Sequence, residues 1–157
     1  MATAYVPVPM TVPGSSGSAY PLLYAGTNAR YLVPAYAINV DSYWYGHIRV
    51  PANYSSTPAI IISLAANVTT GVATMEVSSA PPADGETYNV TYTSETDVDV
   101  SMPGTAYLRK DQSFTLTSGP AAGDDLVVRV GHIGTATNDT IAAPVLLMNV
   151  VFSYTTT

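Results

Sequence analysis

The stretch "DDLVVRVGHIGTATNDT", residues 124–140, decides how this chain is read. Leu126, Val128, Val130 and His132 alternate with Val127, Arg129, Gly131 and Ile133, and the run ends in a Gly/Thr/Asn/Asp turn. A period of two closed by turn residues marks a half-buried β-strand. His132 closes a face that is otherwise apolar, and Asp139 lies across the turn. A His–Asp pair can orient a nucleophile. No serine stands in a nucleophile-elbow motif and the chain has no cysteine. The expected roles are therefore structural: Asp139 and Asn138 bonding turn amides, and Asp124 capping the strand start after Gly123.

The same alternation recurs outward from this point. Ala73, Met75 and Val77 oppose Thr74, Glu76 and Ser78; Tyr88, Val90 and Tyr92 oppose Thr87, Asn89, Thr91 and Thr93; Phe114 and Leu116 oppose Ser113, Thr115 and Thr117. Leu146, Met148, Val150, Phe152 and Tyr154 read as one unbroken apolar face. Turn signals separate the runs, and no apolar i, i+3, i+4 pattern lasts ten residues without Pro or Gly. The reading is all-β, with strands over 30–40, 43–50, 58–66, 71–78, 86–93, 96–102, 112–117, 124–133 and 144–154. Short, evenly spaced strands predict a two-sheet, jelly-roll-like sandwich over residues 28–157.

Residues 1–27 show no period of their own. Pro7, Pro9, Pro13 and Pro21 fix φ and remove donors, and "GSSGS" is a linker composition. The segment still carries Tyr5, Val6, Val8, Met10, Val12, Tyr20, Leu22 and Tyr24, more apolar weight than a disordered tail carries. It is expected to be an extended arm whose apolar side chains bind a partner.

The 157 residues are 47 % hydrophobic but only 10 % charged, with a net charge of −6. So few charges leave a surface of Ser, Thr, Asn, Gly and Tyr that desolvates at low cost against another protein. Arg30, Arg49, Arg109, Lys110 and Arg129 are scattered, which argues against nucleic acid and anionic lipid. The absence of cysteine rules out disulfides, thiolate catalysis and thiolate metal sites. The first residues carry neither the basic end nor the apolar stretch of a signal peptide, and the apolar runs of about ten residues are half a membrane span. A protein made in the cytoplasm is expected. The sequons at Asn53, Asn67, Asn89 and Asn138 are read as incidental.

Three further groups are candidates for chemistry. "TDVDVS" puts Asp97 and Asp99 on one strand face, a spacing that could share Ca²⁺ or serve acid–base work, but is ordinarily a solvated face. His47 and His132 have no metal-ligand spacing, and no phosphate loop or dinucleotide fingerprint is present. "DSYWYGHIRVP" puts Trp44, Gly46, Ile48 and Val50 on one face, read as core, and Tyr43, Tyr45, His47 and Arg49 on the other. Tyr43 and Tyr45 suit a protein interface or sugar stacking. No catalytic residue, metal or cofactor is assigned.

Two segments, "YWYGHIRVPANYSSTPAIIISLAA" (43–66) and "AGDDLVVRVGHIGTATNDTIAAPVLLMNVVFSY" (122–154), together resemble small jelly-roll virion proteins of tailed bacteriophages, among them capsid decoration (cement) proteins and head-fibre modules. The resemblance implies a non-enzymatic protein on the outer capsid surface. Its partners would be the major capsid protein and copies of itself, a trimer before a dimer, bridging neighbouring shell subunits. The alternative is a head-fibre or receptor-binding module that recognises surface glycans, for which Tyr43, Tyr45 and Tyr54 are candidates. A sandwich glycosidase or lyase would need Asp97, Asp99 or Asp139 to meet His132 in a cleft.

Overall fold

A computed structural model describes residues 1–14, 19–25, 30–82, 91–117 and 119–157. In chain order the strands are β1 (Thr3–Pro7), β2 (Met10–Pro13), β3 (Ala19–Ala25), β4 (Arg30–Tyr36), β5 (Asp41–Arg49), β6 (Tyr54–Ala66), β7 (Val72–Ala80), β8 (Thr93–Ser94), β9 (Val98–Ser101), β10 (Lys110–Thr115), β11 (Asp125–Ile133) and β12 (Val145–Thr156). The described residues contain no helix.

From β4 onward the chain passes back and forth between two antiparallel sheets, with β7, β8 and β9 following one another in the same sheet. One has the order β10–β6–β12–β4; the other has β5–β11–β7, with β8 and β9 together flanking β7. This two-sheet interleaving is a jelly roll, the sandwich that the alternation predicts. The strands face each other as the period dictates. Trp44, Ile48, Leu126, Val128, Val130, Met75 and Val77 of one sheet pack on Ile60, Ile62, Leu64, Val150 and Phe152 of the other. Trp44 is core, as expected, and its indole N–H reaches across to the Ala35 carbonyl at 3.1 Å.

Two features depart from the pattern expected of the sequence. First, the face from Leu146 to Tyr154 is not unbroken. A register shift between Leu147 and Asn149 against β6 turns Leu147 into the main core and leaves Leu146 and Met148 in a separate cluster with Val33, Ala35 and Ala65. One extra residue in a strand reverses the side-chain parity beyond it. Second, residues 1–27 contain three strands where no period is visible. β1 pairs with β12 beyond the reach of β4, β2 pairs with β5 at the edge of the opposite sheet, and β3 pairs with β4. Each stretch is short and changes sheet, and their prolines lie at strand ends or on an edge strand, where a missing donor costs nothing. Val8 is buried where the chain crosses between the sheets, its N–H bonding Val150 O at 2.9 Å. Gly46 makes the crossing possible, since a Cβ there would lie 2.3 Å from the Pro9 carbonyl oxygen. The expected strand at 86–93 falls largely outside the described residues.

Candidate functional site

The outer face of the β5–β11–β7 sheet carries the odd residues of β5 and β11 and the even ones of β7. Arg129 stands at its centre, paired in register with Tyr45 on one side and Ser78 on the other. Its guanidinium Nη2 donates to Glu76 Oε1 at 2.6 Å and to Ser78 Oγ at 2.9 Å. The same cation lies 4.6 Å from the Tyr43 ring centroid and 5.3 Å from that of Tyr92, within cation–π range. Tyr45 meets Tyr92 edge to face at 6.1 Å. Three tyrosines thus surround one anchored arginine.

The local sequence explains this assembly. Gly131 leaves room for Tyr43: a Cβ at 131 would lie 2.6 Å from the Tyr43 ring, so the ring lies over β11 beside Arg129. Glu76 accepts from Arg129, Ser78 and Ser94. Burial disfavours its charge, but those hydrogen bonds outweigh burial and hold its carboxyl below the usual glutamate range. Partial burial, with the Glu76 charge, pushes the Tyr43 phenol upward; burial and neighbouring Tyr45 do the same for Tyr92. These phenols stay protonated, able to donate as well as accept. Beside the platform a groove of about 320 Å³ is lined by Thr11, Val12, Tyr45, Gly46, His47 and Val127. β2 therefore forms one wall of it, something that treating 1–27 as a separate arm does not reveal.

On the opposite face of β11, His132 and Asp139 do meet. His132 Nε2 and Asp139 Oδ2 are 2.7 Å apart, with 0 % and 1 % of their side chains exposed. His132 Nδ1 lies 3.1 Å from the Ala37 carbonyl. A carbonyl only accepts, so Nδ1 carries its proton. Ser42, the register partner of His132, is buried with an unpartnered hydroxyl; no motif around it in the chain marks it out. Serine, histidine and aspartate thus come together, but both ring nitrogens are occupied and none of the three reaches solvent. Nothing is left to activate Ser42. Asp139 Oδ2 also accepts from Thr74 N at 2.9 Å, and Thr74 Oγ1 donates to Asp99. Asn138 donates to the other oxygen of Asp99 at 3.0 Å. Asp139 and Asn138 therefore bond other strands and not the turn amides expected of them. Asp124 does bond a turn amide, that of Ala121, at 2.8 Å.

The remaining candidates separate. Asp99 is held in that network, whereas Asp97 is exposed beside it. Burial and the charges of Glu76, Asp41 and Asp99 raise the Asp97 carboxyl. Among the described residues no group of three His, Cys, Asp or Glu is placed to hold a metal. Val6 and Met10 pack partly buried against the core that holds Val8. Tyr20 and Leu22 cover the smaller cluster around Val33 and Ala35, while Tyr5 and Val12 are exposed. The Tyr24 side chain lies outside the described set. Tyr54 stacks on Phe152 at 6.1 Å, away from the platform.

No family model and no curated protein matches the chain. Solved structures show a distant likeness. A CBM61 module, TmCBM61, in complex with β-1,4-galactotriose is 8 % identical, covering 97 % of this chain and 87 % of that one, with a TM-score of 0.47. A family 35 carbohydrate-binding module from Clostridium thermocellum is 14 % identical over 98 % and 92 %, with a TM-score of 0.45. The enzymatically active domain of bacteriophage CBA120 tailspike protein 4 is 9 % identical over 96 % and 19 %, at 0.42. Values this low assign neither a ligand nor an activity to this chain.

Proposed function

We propose that the protein is a glycan-binding module and that the Tyr43–Tyr45–Tyr92–Arg129 platform is its binding face. The observation that carries this reading is the set of three half-buried tyrosines around an ion-paired arginine, next to an open groove. Ring faces stack on the C–H surfaces of a sugar, and phenol and His47 groups at the rim supply hydrogen bonds. The sheet holds the rings before any ligand arrives, so little ordering entropy is lost on binding. A glycan microarray followed by calorimetric titration tests it. Saturable binding is expected, lost in Tyr45→Ala and Tyr43→Ala with the fold retained. A folded protein that binds no glycan overturns the proposal.

The shell-bridging role implied by the virion resemblance has one observation in its favour. The N-terminal strands and β4 leave Tyr5, Val12 and Leu32 61 %, 56 % and 69 % exposed, apolar area suited to a protein partner. In that reading the protein is a structural component of a capsid surface. Tyr5→Asp with Leu32→Asp, both outside the groove lining, would then abolish attachment to assembled shells while sparing glycan binding; unchanged attachment would sink it.

A further inference from the structure

Resting on the glycan reading, we infer that the platform takes uncharged glycans and rejects acidic ones, with Glu76 as the residue that sets the choice. Arg129 is the group an anionic sugar would seek, yet its Nη2 is already given to Glu76 and Ser78. Its Nε is closed off from solvent with no partner, so that edge of the guanidinium is not offered to a ligand either. A sugar carboxylate that takes Nη2 must displace Glu76, leaving a partly buried glutamate without its cation.

The surroundings push the same way. Asp41, two residues from Tyr43 on the same strand face, is fixed by the Thr135 N–H and hydroxyl at 3.1 and 2.8 Å. Asp99 is fixed by Thr74 and Asn138. Asp97 stands within the field of Asp41, Glu76 and Asp99. Asp41, Glu76, Asp97 and Asp99 thus gather at this end of the sheet, with Glu76 the one paired to Arg129. A neutral sugar stacks on tyrosine without crossing that field, whereas a uronic or sialic acid enters it with a like charge.

The test uses the full chain and glycan pairs matched except for charge, such as oligogalactosides against oligogalacturonides and asialo- against sialyl-oligosaccharides, titrated at low and at physiological salt. The expected result is binding to the neutral member of a pair, with the acidic member weaker by about tenfold or more at low salt, and a narrower gap as salt screens the carboxylates. Glu76→Gln, with its fold checked by circular dichroism, is expected to gain affinity for the acidic member. Equal or tighter binding of acidic glycans by the unaltered protein overturns this inference and leaves the glycan reading standing. If Glu76→Gln is folded and still discriminates as before, the role given to Glu76 is wrong. Binding to no member of any pair removes the glycan reading and this inference together.

Discussion

β11 carries two cation-type and carboxylate side-chain contacts on opposite faces, three residues apart, and they differ in almost every respect that matters. His132–Asp139 is sealed, with 0 % and 1 % of its side chains exposed, and its spare hydrogen-bonding positions go to Ala37 and Thr74. Arg129–Glu76 is 22 % and 12 % exposed and is ringed by tyrosines. The histidine pair is catalytic in composition but has no route to a substrate; it ties the turn before β12 to β7 and β11. The arginine pair is, by residue type, an ordinary cross-strand contact, yet it sits where a ligand can touch it. Accessibility and the saturation of partners, more than residue type, separate a structural node from a candidate site.

The largest effect that would break this contrast is predicted for Asp139→Ala. Removing one partner of a buried pair costs about 3–5 kcal/mol, read by urea denaturation. A loss well under 1 kcal/mol would mean that the node does not hold the fold. Gly131→Val comes next. The added side chain collides with the Tyr43 ring, and overpacking costs about 1–3 kcal/mol. Near-ultraviolet circular dichroism should report the displaced tyrosine, and glycan affinity should fall even under conditions where the variant is fully folded.

A pH titration sharpens the comparison further. The Glu76 carboxyl is held below its usual range in the folded chain. Its contribution to stability is therefore present at neutral pH and down to about pH 4.3, the unfolded value, and is lost as pH falls through the lower folded value. Glu76→Gln should remove that part of the acid slope; an unchanged slope would count against the arrangement. The smallest effect concerns Asp97, whose carboxyl is raised, first by partial burial and then by Glu76, Asp41 and Asp99. A raised carboxyl stabilises the fold at acid pH and loses that contribution as pH rises through the folded value. Asp97→Asn should thus leave stability at pH 7 unchanged or slightly higher, within about 0.5 kcal/mol, with any gain shrinking in salt.

Alternation, turn residues and the lack of any helical period determined the sandwich, because a period of two admits only one partition of side chains between core and solvent. The same rule placed Trp44 inward and Tyr43, Tyr45 and Arg129 outward. It failed where the period is interrupted: at the bulge after Leu147, and in residues 1–27, where strands of four to seven residues broken by proline and changing sheet leave no pattern to count. Which outward residues meet was decided by tertiary structure alone. Glu76 reaches Arg129 because β7 lies beside β11, and Tyr43 covers Gly131 because β5 lies on the other side. His132 and Asp139 were close in sequence, but their burial and their bonds to Ala37 and Thr74 depend on strands far along the chain. A strand's own residues fix which way each side chain points; only the register with its neighbours fixes what that side chain touches.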